Sequence, residues 1–176
     1  MIETTGEDRR FPPALAEVAT VEFVYGDSAE VEGEGVDFMP YAEFEPAEET
    51  TQWVRAWTAN HELDGGAGQD GSGGLAALWM ARPGRPLAEQ PVVFMGSEGE
   101  SGLVAANLSD LLWVLADGFG PREAALHPDR EPLPDPVLAE IAARHAVTPR
   151  RAAREIVLTA RAEFPSFEED LDELCR

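Results

Sequence analysis

Residues 91–118, PVVFMGSEGESGLVAANLSDLLWVLADG, contain two short apolar runs followed by a helical pattern. The runs 91–95 and 103–106 are separated by a glycine-rich turn, which is typical of two strands joined as a hairpin. Asn107 is a favourable helix N-cap, with an aspartate three residues later. Leucines at positions 108, 111, 112 and 115 share one face. A helix over 108–116 that stops at Gly118 is therefore predicted.

Further strand candidates lie upstream of this stretch. Residues 75–81 are apolar and are followed by a proline- and glycine-containing turn. Residues 65–74 are rich in glycine, so a loop is predicted there. Residues 19–25 alternate apolar and polar side chains and, together with 29–32, predict a hairpin. Because consecutive strands are joined by tight turns, the sheet is predicted to be antiparallel.

Helices are predicted around and after these strands. Pro46 favours a helix start, with Trp53 and Trp57 on one face of that helix. Downstream, helix starts are predicted at Asp135-Pro136, at Thr148-Pro149 and at the capping-box pattern of residues 166–169. The positions predicted to be in register are Val137, Ile141 and His145 in the first of these three helices and Ala152, Ile156 and Ala160 in the second.

These patterns together predict the fold class. The chain is expected to be α+β, with a central, mainly antiparallel β-sheet packed by helices. Residues 1–126 form the expected α+β domain. Residues 127–176 are expected to be a helical C-terminal extension packed on the same domain. A length of 176 residues is sufficient for one domain with a sizeable core.

The charge balance is strongly acidic. The chain carries 34 acidic and 13 basic residues, a formal net charge of −21. Such a field repels nucleic acid and anionic membranes and attracts basic partners. Acidity that serves only solubility is the alternative. The sequence has one cysteine, no apolar run of membrane-spanning length and no secretory signal pattern, so a cytoplasmic location is expected.

Several short motifs match a known spelling but lack the context that the corresponding chemistry needs. Residues 66–71 have the G-x-G-x-x-G spelling, but a dinucleotide site needs a strand before the motif and a helix after it, and the reverse order is predicted here. The same stretch contains one copy of a calcium nonapeptide start, whereas such sites need stacked copies. Ser97 lacks a neighbouring base. His61, His127 and His145 have no metal-ligand spacing. No catalytic residue, cofactor or metal is therefore predicted.

Three segments taken together resemble the SUKH superfamily, the Smi/Knr-type proteins. They are residues 68–79 (GQDGSGGLAALW), 90–100 (QPVVFMGSEGE) and 104–118 (VAANLSDLLWVLADG). The resemblance covers about residues 36–126 and makes the domain at 1–126 SUKH-like. It implies an α+β fold without a general catalytic activity or cofactor. Many bacterial members of the superfamily are immunity proteins that neutralise toxins by tight binding, and others are interaction hubs.

Charge and resemblance lead to one functional expectation. The chain is expected to be a non-catalytic, immunity-type inhibitor of a basic, nuclease-like toxin domain, which it binds through acidic surface complementarity. Neither nucleic acid nor a membrane is an expected partner. The alternatives are a regulatory or scaffold module that uses the tryptophan-bearing surface and, third, a hydrolase that uses clustered carboxylates. The predicted partner-binding residues are the acids of the turns: Asp27, Glu30, Glu32, Asp64, Asp70, Glu98 and Glu100.

Overall fold

The structure, a computed structural model, describes residues 10–23, 35–46, 49, 66–69 and 73–174. Within this part of the chain, five strands form one antiparallel sheet in which the strands lie in chain order. The predicted α+β class is confirmed, with helices packed on the sheet. The strands are β1 (Met39–Pro40), β2 (Gly66–Gln69), β3 (Leu75–Leu78), β4 (Val92–Met95) and β5 (Ser101–Ala105).

Both faces of the central strands are buried, which explains why these strands are apolar without alternation. In the register of β3 and β4, Leu75 lies opposite Met95 and Leu78 lies opposite Val92. Side chains alternate between the two faces of a strand. The two faces belong to two separate apolar clusters. One face carries Ala76, Leu78, Val92, Phe94 and Val104, and the other carries Leu75, Ala77, Val93, Met95 and Leu103.

Helices cover both faces. Their bounds are α1 (Pro13–Val18), α2 (Leu108–Ala116), α3 (Pro121–Leu126), α4 (Pro136–His145), α5 (Ala153–Glu163) and α6 (Phe167–Leu174). The first face packs against α1, α2, α3, α4 and the first half of α5. The second face packs against Ala160 of α5 and against Phe167 and Leu171 of α6. Residues 127–174 therefore contribute to both apolar clusters of the molecule.

Helix α2 has the predicted bounds. The Asn107 side chain accepts a hydrogen bond from the Asp110 amide at 2.9 Å, which is the expected N-cap. After the helix, Gly118 takes a φ of 79°, and the Leu133 carbonyl lies where a Cβ would stand. Two features therefore require glycine at position 118: the left-handed backbone conformation and the close approach of residue 133.

Two strand-level predictions were wrong. Residues 19–23 do not form a strand, because the chain starts α1 at Pro13 and leaves it through local turns such as the hydrogen bond from Val21 N to Val18 O at 3.0 Å. The remainder of that predicted hairpin lies outside the described residues. The predicted glycine loop contains β2, which pairs with β1 on one side and β3 on the other. Pairing on both sides outweighs the low strand propensity of glycine.

Two helix-level predictions also need correction. Helix α5 begins at Ala153 rather than near Pro149, because the Ala153 amide is held by the Asp117 carboxylate at 2.9 Å. In α4, Val137 is 53% exposed, and the buried positions are Leu138, Ile141 and Ala142. Of the helix predicted to start at Pro46, the structure describes Glu49 as helical, with its amide hydrogen-bonded to the Pro46 carbonyl at 2.9 Å, whereas Trp53 and Trp57 lie outside the described residues.

Candidate functional site

Two acidic side chains of the α2 region are buried and fully engaged. Asp110 is 2% exposed and accepts hydrogen bonds from Arg151 at 2.9 Å and from the Thr148 hydroxyl at 2.9 Å. Asp117, just after α2, accepts from the Ala153 amide at 2.9 Å and from Arg150 at 3.4 Å. These carboxylates hold the 147–153 connection against α2, so they serve the architecture and are not available for recognition.

Uncharged groups of α2 hold the same connection. The Trp113 indole N–H donates to the Thr148 carbonyl at 3.0 Å. The Ser109 hydroxyl accepts from the Val147 amide at 3.0 Å. These contacts satisfy polar groups that burial would otherwise leave unpaired, which is costly in a protein interior.

Other arginines also form hydrogen bonds and ion pairs with groups of the same chain. Arg161 donates to the Ala125 carbonyl at 2.6 Å, and Arg82 donates to the Ala106 carbonyl at 2.7 Å. Arg144 and His145 both contact the Glu17 carboxylate. The Arg144 and His145 hydrogen bonds hold the pKa of Glu17 below its usual value. Much of the positive charge of the described residues therefore lies in internal contacts.

Helix α6 has the opposite arrangement. Phe167 and Leu171 are its buried side chains, and both pack on the second face of the sheet. Its charged positions face solvent, and no ion pair between described residues involves them. One of them, Asp170, accepts a hydrogen bond from the Ser166 hydroxyl at 2.8 Å. These exposed carboxylates, which we call the α6 acidic face, are Glu168, Glu169, Asp170, Asp172 and Glu173.

The α6 acidic face contains more charge than the helix needs for its own stability. The acids of the first turn favour the helix because they lie near its partially positive N-terminus. Asp172 and Glu173 lie in the last turns, where a negative charge disfavours a helix by roughly 0.3–1 kcal/mol. They also stand four residues after Glu168 and Glu169, and each like-charge pair at that spacing costs about 0.2–0.5 kcal/mol. A positively charged partner would relieve this repulsion.

The structure describes two of the predicted partner-binding residues, and they differ in exposure. Glu98 is exposed in the turn between β4 and β5. Glu100 is partly buried, and its carboxylate accepts from the Glu98 amide at 3.3 Å and lies over Gly96. Glu100 is thus committed to the turn. The remaining predicted residues, Asp27, Glu30, Glu32, Asp64 and Asp70, lie outside the described residues.

Glu98 and the start of α6 lie near opposite ends of the central strands. Glu98 follows the C-terminal end of β4, whereas Trp79 follows β3 at the other end. The Trp79 ring packs 5.1 Å from the ring of Phe167, where α6 begins. The structure therefore does not place Glu98 beside the start of α6.

The interpretation of the sequence missed the α6 acidic face. The available signal was the spacing of Phe167 and Leu171, four residues apart, with acids at the positions between them and after them. That pattern indicates a helix with a narrow apolar stripe and a broad charged surface. The prediction favoured turns because acids in turns are exposed in most folds.

The described tryptophans are packed inside the protein. Trp113 is 9% exposed, and its indole N–H donates a hydrogen bond to the Thr148 carbonyl. Trp79 is half-buried, with its ring also 5.3 Å from the ring of Phe164. Each therefore makes its aromatic contacts within the fold, as aromatic side chains of a core do.

In the part of the chain that the structure describes, no group of three or more His, Cys, Asp or Glu side chains is arranged to hold a metal ion. None of the described helices combines the length and apolarity needed to cross a bilayer. Comparisons of the chain with protein-family models, with curated proteins and with solved structures found no match.

Proposed function

We propose that this chain is a non-catalytic, cytoplasmic, immunity-type inhibitor that binds a basic, nuclease-like toxin domain. The observation that carries the proposal is the exposed α6 acidic face, which joins no ion pair between described residues, on a chain with a net charge of −21. A nuclease domain needs basic side chains to hold phosphates, and those side chains are complementary to such a face. The proposed contact region is the α6 acidic face, with Glu98 as a separate exposed site.

The resemblance to the SUKH superfamily supports the same proposal. The segments that carry it are a tryptophan-bearing strand after a glycine turn, a strand ending in a glycine turn, and a helix rich in leucine. The described counterparts are β3 with Trp79, β4 with Gly96, and α2. The scaffold and hydrolase alternatives stay predictions. The described tryptophans make their aromatic contacts within the fold, so they do not add support to the scaffold alternative.

The test uses a basic toxin domain encoded beside the gene for this chain, with cleavage of nucleic acid as the readout. The α6 variant replaces the five acids of the α6 acidic face by Gln or Asn. A matched variant removes the same number of charges from exposed positions elsewhere, namely Glu22, Glu43, Glu131, Glu140 and Glu155, so that net charge is equal in the two.

We expect the wild-type chain and the matched variant to inhibit cleavage. The α6 variant should associate with the toxin at least about tenfold more slowly at low salt, because steering depends on where the charge lies. Equal inhibition by both variants would show that the α6 acidic face is not the contact. Absence of a basic partner, both beside the gene and in pull-downs from the native host, would contradict the proposed function itself.

A further inference from the structure

Glu123 of α3 is a buried carboxyl with half of its hydrogen-bonding capacity unmet. It is 6% exposed. Its Oε1 accepts from the Asp37 amide at 3.4 Å, which is a long hydrogen bond. Its Oε2 is buried and has no hydrogen-bond partner. Buried polar atoms without partners are rare in native proteins, so this one calls for a physical explanation.

Arg130 holds the same segment of chain from a second direction. Its guanidinium donates to the Gly35 carbonyl at 3.1 Å and also to the Gly118 carbonyl. The group lies 5.0 Å from the centre of the Phe119 ring, and its Nε has no hydrogen-bond partner. Residues 35 and 37 are therefore each tied by one charged side chain to the corner of residues 118–123.

The corner and the segment are tightly packed. A Cβ at Gly120 would stand 2.5 Å from Glu123 Oε2 and 2.8 Å from a methyl group of Val36. Phe38 is 5% exposed, and its ring packs edge-on against that of Phe23 at 5.4 Å. The segment leads directly into β1, which is the first strand in the order of the described sheet. Glu123 has little room to move away when its charge changes.

We propose that Glu123 is a proton-dependent latch that holds residues 35–38, and through them β1, against the corner of residues 118–123. When Glu123 is protonated, its carboxyl is neutral, and burying the unpartnered oxygen costs less free energy than burying a charge. In the carboxylate, Oε2 shares the negative charge while it is buried without a donor, which is unfavourable. Deprotonation therefore favours a conformation in which the corner opens and water reaches Glu123.

Burial and the groups that face Glu123 in the described part of the chain act on its pKa in both directions, and burial has the largest effect. Burial raises the pKa of Glu123, and the Asp37 carboxylate acts in the same sense. The backbone N–H groups of Glu123 and Asp37 and the Arg130 guanidinium act against them and do not cancel the rise. A group with a raised pKa in the folded state stabilises that state fully below its ordinary value of 4.5. That stability is lost as the pH rises through the folded-state pKa.

The experiment compares the ionisation of Glu123 with the protection of the amides that it is proposed to hold. The side-chain carboxyl of Glu123 is titrated by carbon NMR, and hydrogen-exchange protection of the Asp37, Phe38 and Met39 amides is measured over the same pH range. Glu123→Gln keeps the size and the acceptor of the side chain but cannot ionise. Glu140→Gln, at an exposed position of α4, is the matched control.

In the wild type and in Glu140→Gln, protection of these amides should fall by about tenfold as Glu123 ionises. In Glu123→Gln the protection should stay high and should not vary with pH. The latch is refuted if Glu123 titrates at or below its ordinary value. It is also refuted if the Gln variant loses protection as the wild type does, or if ionisation leaves these amides unchanged. The wild-type titration alone decides the matter should the variant fail to fold.

Discussion

Helices α2 and α6 both carry acids but use them in opposite ways. Every residue of α2 is buried, and its Asp110 is held by Arg151 and Thr148. In α6 the buried side chains are Phe167 and Leu171, while its acids face solvent. Burial forces a charge to find a partner within the fold, because an unpaired charge in the interior is too costly. Exposure removes that requirement and leaves charge available for another molecule.

The difference arises from where each helix lies. Helix α2 is enclosed by the first face of the sheet and by α4 and α5. Helix α6 packs on the second face of the sheet, mainly at β5, through Phe167 and Leu171. We therefore expect α2 to behave as part of the cooperative core and α6 as a region of lower local stability.

Removing the same side chain from both helices tests whether α2 and α6 differ in stability. Leu111→Ala leaves a cavity between α2 and the sheet and should lower the free energy of unfolding by about 4 kcal/mol. Leu171→Ala, at the rim, should cost about 2 kcal/mol because the site can relax into solvent. Urea denaturation measures both. Equal losses would mean that α6 is as much a part of the core as α2.

A second test compares a buried ion pair with an exposed one. Asp110→Ala leaves Arg151 and Thr148 without their acceptor and should destabilise the protein by about 3 kcal/mol. Asp129→Ala breaks the exposed pair with Arg154 and should cost about 0–1 kcal/mol. The readout is again the midpoint of urea unfolding. A small loss in the Asp110 variant would show that the connection at 147–153 does not depend on this carboxylate.

The smallest expected effect concerns the end of α6. Replacing Asp172 by Asn and Glu173 by Gln removes two unfavourable charges from the last turns and should stabilise the free protein by about 0.5–1 kcal/mol. Thermal unfolding at low salt detects the change, and high salt should reduce it. A loss of stability would instead indicate that these acids have a structural role. That result would weaken the argument that they are kept for recognition.

Local patterns predicted the elements in which local and tertiary preferences agree. Asn107 caps α2 as its side-chain chemistry requires, and the apolar runs of β3, β4 and β5 are buried on both faces. The same approach failed where a distant contact decides the backbone. Residues 66–69 form a strand because β1 and β3 pair with them, and α5 begins late because Asp117, 36 residues earlier, holds the Ala153 amide.

The sequence predicted that the candidate site is negatively charged, but it did not predict which carboxylates form it. Composition established that the protein is acidic, and no arrangement of the chain could change that total. Which carboxylates are available was decided by the fold, which placed Asp110 and Asp117 beside arginines and turned the acids of α6 outward. The physical reason is that charge is a property of each residue, whereas its solvation and its partners depend on neighbours that are far away in the sequence.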